Sequence, residues 1–240
     1  MIPDRGPPQV ADEQADALLL QLQSEKAEYR SRAARVLGNM GGERVVAALI
    51  EALADTDPDV FGAVKESLLL LRPKSTSEIV KALIHPEPLV RAGAVELVGE
   101  MHHVEALARV HELTQDPDRE VRIAAVNALV KLEGQKAHDW LAPLLDDIDG
   151  QVRATVVRAL GVIHDAASAG LVTPKLKDYD PAVRLATLET LARIGGQESV
   201  DQLLDLEHDP DEKVAAAAQE ALAAIGERAV GPYIEDLTKR

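Results

Sequence analysis

Apolar residues recur along this chain on two periods, one nested in the other. After each of Tyr29, Val60, Val90, Val121, Val152, Val183 and Val214, a small or branched apolar residue stands four places on: Ala33, Val64, Ala94, Ala125, Val156 and Ala218, with Thr187 in the sixth unit. Eight places on come Leu37, Leu68, Val98, Leu129, Leu160, Leu191 and Leu222, and eleven places on Met40, Leu71, Met101, Leu132, Ile163, Ile194 and Ile225. Those offsets fall on one stripe of a helix that turns about 100° per residue, so each unit predicts one amphipathic helix. The anchors sit at 29, 60, 90, 121, 152, 183 and 214, a spacing of 31 residues with one interval of 30. A second apolar set follows each stripe, for example Val45, Val46, Leu49, Ile50 and Leu53, and predicts a second, antiparallel helix.

Punctuation agrees with the period. Gly41-Gly42, Gly195-Gly196 and Gly226 read as helix stops, because glycine takes the left-handed conformation past a helix end. Asp57-Pro58 and Asp180-Pro181 place a capping carboxylate before a proline at the first helical position, and Ser75 with Glu78 has capping-box spacing. Residues 11–227 therefore read as seven helix pairs in one stack, with 228–240 as a C-terminal capping helix and 1–10, which holds three prolines, as a flexible tail. A single pair cannot bury its apolar faces, so the stack is the folding unit.

The motif Asp-Pro-x-x-Val-Arg-x-x-Ala-x-x-x-Leu-x-x-Ile-Gly resembles HEAT-like repeats, in particular the 31-residue kind of phycobilisome-lyase-type HEAT proteins, over residues 11–240. The resemblance implies an all-α fold, an α-solenoid forming a right-handed superhelix of about seven helix pairs plus the C-terminal capping helix. An Arg follows the anchor at Arg30, Arg91, Arg122, Arg153 and Arg184, and an Asp precedes it by five and by three residues at Asp116 and Asp118, Asp147 and Asp149, Asp178 and Asp180, Asp209 and Asp211. These acids are expected to cap the helices and bond the Arg of an adjacent unit in a structural ladder, as the resemblance also implies.

Removing the apolar stripe leaves positions two, three, six and ten after each anchor facing solvent, where HEAT-type stacks have their concave groove. Positions two and three are mostly Gly, Ala or aliphatic, which predicts an apolar floor running beneath charged rims. The partner contacts expected on this face are Leu70, Glu96, Glu100, Ile123, Asn127, Lys131, Arg158, Val162, Leu185, Glu189 and Arg193. Such a surface suits a helix or extended segment of another protein. The second unit departs from the pattern, with Phe61 in place of the ladder Arg, a Leu68–Leu71 run and Arg72-Pro73-Lys74 in place of the Gly stop. It reads equally as a drifted repeat or as a tuned contact surface.

Composition narrows the function. With 41 acidic against 26 basic residues the net charge is −15, and one Trp, one Phe and three Tyr leave few platforms for bases, so nucleic acid is excluded as a partner. The absence of Cys removes thiolate metal sites and thiol nucleophiles. No run of 18 apolar residues and no signal-peptide core is present, so no membrane association and a cytoplasmic location are expected. No phosphate loop, nucleophile elbow or paired-carboxylate constellation stands out, and neither cofactor nor metal is called for. HEAT-like deoxyhypusine hydroxylases bind iron through His-Glu pairs directly after the repeat Arg. Here those sites hold Ser31-Arg32, Ala92-Gly93, Ile123-Ala124, Ala154-Thr155 and Leu185-Ala186, while His111-Glu112 falls in a second helix. His102 and His164 are two repeats apart, and Trp140 reads as a packing residue. The expected function is a non-enzymatic scaffold that binds a partner protein or peptide. The alternative implied by the resemblance is a bilin lyase or bilin-handling subunit acting on a phycobiliprotein, with Arg158 and Arg193 facing propionates.

Overall fold

In the computed structural model the described residues are 7–72, 75–163, 166–194 and 199–238. They divide into two compact units, residues 1–128 and 129–240. The first unit contains α1 (Pro7–Gln21), α2 (Ala27–Met40), α3 (Glu43–Glu51), α4 (Pro58–Leu70), α5 (Thr76–Ala82), α6 (Pro88–Glu100), α7 (Leu107–Leu113) and most of α8 (Arg119–Glu133). The second holds the end of α8, then α9 (His138–Leu141), α10 (Gly150–Ile163), α11 (Ala166–Val172), α12 (Pro181–Ile194), α13 (Val200–Asp205) and α14 (Glu212–Thr238). The fold is an all-α solenoid of helix pairs. First helices pack on first helices, α2 on α4, α10 on α12 and α12 on α14, and the second helices lie behind them.

Second helices are short and close in a 3-10 turn, at Ala52–Ala54, Ala142–Asp146, Thr173–Lys177 and Leu206–His208. Pro143 and Pro174 stand at the start of two of these turns, where their missing N–H and fixed φ favour the change from the α-helical hydrogen-bond pattern. The core is aliphatic: Leu37, Leu68, Leu97, Leu129, Leu160 and Leu191, all from the repeated stripe and its neighbours, have no more than trace exposure.

Several boundaries differ from the sequence expectation. Helix α1 begins at Pro7, inside the segment 1–10 read as a tail, because two consecutive prolines fit the first turn of a helix, where no N–H partner is needed. Gly226 does not end a helix: α14 runs through it to Thr238, so the capping segment 228–240 continues the last first helix as far as it is described. The alanine-rich stretch before Gly226 favours helix, and α14 continues through Gly226, Gly231 and Pro232. Gly41 does end α2, at φ +72°, with its N–H donated to the Leu37 carbonyl, whereas Gly195-Gly196 lies outside the described residues. Ser75 forms no capping box. Its buried hydroxyl donates instead to the Leu68 carbonyl in the last turn of α4, at 2.7 Å.

Candidate partner-binding faces

The repeated Arg and Asp are built into the turns between helices. Arg153 donates Nε and Nη2 to the two oxygens of Asp178 at 2.8 and 2.7 Å, and Nη1 to the carbonyls of Asp147 and Ile148 at 2.8 and 3.3 Å. The same fork joins Arg30 to Asp55, Arg91 to Asp116 and Arg184 to Asp209. Arg122 donates to the carbonyls of Asp116 and Pro117. The two acids of each turn divide the work. The first receives the guanidinium and the N–H two residues ahead, while the second, Asp57, Asp118, Asp149, Asp180 or Asp211, accepts N–H groups of the helix it precedes. At Arg153 the ring of Tyr179 lies 4.5 Å over the guanidinium, and the two ion-pair side chains are only 4% and 5% exposed.

Burial opposes ionisation of Asp55, Asp178 and Asp209, but the guanidinium bond and the backbone N–H outweigh it and hold each carboxyl below its ordinary value of 3.8. Their contribution to stability is complete above roughly pH 5 and is lost as pH falls through the depressed folded-state values, because protons then bind the unfolded chain more tightly. Melting temperature should therefore drop steeply below about pH 4, and Asp178→Asn should flatten that drop while lowering stability at pH 7. An unchanged acid limb in Asp178→Asn, followed by circular dichroism, would contradict this.

The second repeat lacks a rung at both ends. Phe61 occupies the Arg position, and His85 occupies the Asp position, because this repeat is one residue short: its Nδ1 accepts the Glu87 N–H at 3.1 Å and its carbonyl accepts Arg91 Nη1, as Asp147 does for Asp149 and Arg153. Phe61 is half-buried against Gly93 of α6, where an added Cβ would come within 3.1 Å of the ring, and Lys65 Nζ lies 5.3 Å over its face. Phe61 therefore fills an inter-helix contact and is not a free surface anchor. Pro73 and Lys74 lie outside the described residues.

The expected apolar floor is not at the surface. Ala63, Ala92, Gly93, Ala124, Ala154 and Ala186 are buried, and Ile123 and Leu185 are half-buried. The reason is geometric. A first helix such as α4 or α12 touches a neighbouring first helix on each flank as well as a second helix behind, so small residues at positions two and three make the close lateral contacts. What remains is a stripe about one side chain wide, at positions six and ten, exposed except at half-buried Glu96 and Glu100. In the first unit it carries Glu66, Leu70, Glu96, Glu100 and Asn127, and in the second Lys131, Arg158, Val162, Glu189 and Arg193. Glu96 and Glu100 both receive Lys65 Nζ, at 2.6 and 2.9 Å. Burial disfavours the Lys65 ammonium, yet the two carboxylates raise its pKa above the usual value. Arg35 pairs with Glu66 at 3.9 Å and Arg158 with Glu189 at 3.7 Å, all well exposed. The Arg193 guanidinium lies against Gly161, where a Cβ would be 2.6 Å from it. Leu70 and Val162, both ten residues after their anchors, are 62% and 60% exposed.

His111 is half-buried on α7, His102 follows α6 at φ +50°, Trp140 is about half-exposed on α9, and His164 lies outside the described residues. Among the described residues no group of three His, Asp or Glu is placed to hold a metal ion, and no helix is long and apolar enough to cross a membrane.

Among curated protein sequences none matches. The chain is similar in structure to YibA of Escherichia coli, with 18% identity, a TM-score of 0.63, and coverage of 100% of this chain and 93% of that one. Weaker likenesses are to the CpcE–CpcF complex of phycocyanin lyase from Nostoc sp. PCC7120 (18% identity, TM-score 0.46, 88% of this chain and 94% of that one) and to human deoxyhypusine hydroxylase (20% identity, TM-score 0.39, 92% and 100%). The family profile for HEAT repeats matches residues 15–81, 75–161 and 139–223. With its helix pairs, Arg–Asp rungs and this nearly continuous match, the chain belongs to the HEAT-repeat family.

Proposed function

We propose that the chain is a non-enzymatic scaffold and that the exposed first-helix stripe of each unit docks a segment of another protein. The observation that carries this reading is the pair of aliphatic side chains left in solvent at one repeat position, Leu70 and Val162, where other units place Asn39, Glu100, Lys131 or Arg193. Covering either contributes about 1.5 to 3 kcal/mol. The surrounding charges set the chemistry of the partner. One turn before Leu70 stands exposed Glu66, which suits Lys or Arg, while Glu96 and Glu100 are already occupied by Lys65; Val162 has Lys131 and Arg193 at the equivalent positions one repeat to either side, which suit Asp or Glu. The exposed pairs Arg35–Glu66 and Arg158–Glu189 hold these side chains only weakly, at about 0 to 1 kcal/mol, so a partner's charges can replace them at small cost.

The scaffold reading is tested by placing a photo-crosslinking residue at Leu70, at Val162 and, as a control, at exposed Asp139, and identifying the adducts formed in native extract. One protein captured at Leu70 or Val162 and not at Asp139 is the expected result. Equal adducts at all three positions, or none at the two aliphatic ones, would remove the assignment.

A further inference from the structure

Three clefts meet over a single helix of the first unit, away from the first-helix stripe. One of about 590 Å³ lies between α1 and α3, lined by Leu19, Leu22, Ala48 and Ala52. Two more, of about 550 and 200 Å³, open between α3 and α5 beside Val46 and Ile50. Exposed Ala47 lines all three.

Ala47 stands midway between Glu43 and Glu51, four residues from each, so the outer ridge of α3 reads carboxylate, methyl, carboxylate along one stripe. The two carboxylates are separated by about 12 Å of helix axis. Neighbouring charges are already matched: Arg44 binds Asp16 at 2.7 Å and Lys81 binds Glu78 at 2.7 Å. Glu43 has no ion-pair partner among the described residues, and Glu51 has only His85 Nε2 at 3.3 Å. The ridge is thus low in the middle, largely apolar on the α1 side, mixed on the α5 side, where Glu78, Lys81 and His85 stand beside Ile50 and Ala82, and negative at both ends.

We infer that this ridge is a second docking surface, and that its occupant is a cationic amphipathic helix of another protein laid along α3. An alanine at the crossing allows the two axes to approach to about 8 Å, the closest of ordinary helix packings. Aliphatic side chains of the visiting helix then enter the clefts on either side, and two of its Lys or Arg residues seven or eight positions apart reach Glu43 and Glu51. The net charge of −15 draws such a helix in and opposes a second copy of this chain on the same ridge.

The test uses the full chain and a helical Ala/Leu peptide of about five turns, with lysines eight residues apart, alanine midway and leucines beside it, and a twin with glutamates for the lysines. Affinity is read by titration calorimetry. The lysine peptide is expected to bind, Glu43→Lys with Glu51→Lys to weaken it by about tenfold or more, and the glutamate peptide to bind that double variant in its place. Ala47→Arg, which fills the clefts while leaving both carboxylates, is expected to abolish binding of the lysine peptide. Leu70→Asp is expected to leave it unchanged, which separates this surface from the first-helix stripe. Asp139→Lys with Asp201→Lys makes the same change in net charge on exposed sites elsewhere. If that control weakens the peptide as much as Glu43→Lys with Glu51→Lys does, if Ala47→Arg has no effect, or if the lysine peptide does not bind, the inference is overturned.

Discussion

Arg153→Ala is expected to destabilise the chain by about 3 kcal/mol, whereas Arg158→Ala, five residues along the same helix, should change stability by no more than about 0.5 kcal/mol. The contrast follows from burial and partners. Removing the Arg153 guanidinium leaves Asp178 as an unpaired charge 5% exposed, withdraws donors from the carbonyls of Asp147 and Ile148, and opens the space beneath Tyr179. Arg158 is 48% exposed and meets Glu189 at 3.7 Å, so water replaces what it loses. Hydrogen bonding to Asp178 raises the Arg153 pKa further above its ordinary value, so the rung stays charged throughout the working pH range. Arg153→Lys should recover only a part of the loss, because an ammonium cannot make the two-pronged bond and reach the carbonyls together. Melting curves of the three variants decide the matter. Equal losses for Arg153→Ala and Arg158→Ala would mean that the buried and exposed faces of α10 are wrongly assigned.

Gly38→Ala should be destabilising by about 2 kcal/mol, the reverse of what helix propensity predicts for a glycine inside a helix. A Cβ at Gly38 would lie 2.6 Å from Cβ and Oγ of Ser67 on α4. The Ser67 hydroxyl is committed to the carbonyls of Ala34 and Ala63 at 2.9 and 2.8 Å, so neither side chain can yield without parting α2 from α4. Gly62→Ala is the internal control. It also lies within a helix, nothing stands within 4 Å of its added Cβ, and the substitution should stabilise by about 0.5 to 1 kcal/mol. Opposite signs for the two substitutions are the expected outcome of chemical denaturation, and a gain at both would show that α2 and α4 are not in close contact at Gly38.

How much of this was legible in the sequence depends on whether a feature is local or lateral. The rungs are legible in part: the recurring Arg and paired Asp predict a ladder, but not that the first acid of each pair, such as Asp178 or Asp209, takes the guanidinium while Asp118, Asp149 and Asp180 only cap helices. The caps at Asp57 and Asp180 are legible from the proline that follows each at the first helical position. The lateral contacts are not. A helical wheel assigns one buried side, and it therefore placed Ala92, Gly93, Ala124 and Ile123 in solvent, whereas a helix inside a stack is covered on both flanks. The signal was present as small residues where a solvent face has no need of them. Phe61 alone does not reveal that the whole rung is replaced; His85, five residues before Val90 where other units carry Asp, completes that signal. The α3 ridge went unread because Ala47 between two glutamates looks like an ordinary exposed helix face until the clefts beside it are seen.

The side chains divide into buried rungs that hold the repeats and an exposed stripe that, under the proposed function, engages a partner. The most direct test of that engagement is the affinity of the protein captured at Leu70 or Val162, measured by titration calorimetry against the native chain and against Leu70→Asp and Val162→Asp. Both positions are in solvent, so the melting temperature should stay within a few degrees of the native value. Affinity is expected to fall by about tenfold or more in the variant at the capture position, because a charge then replaces a covered aliphatic side chain. Native affinity in both variants, with the helical spectrum intact, would contradict it.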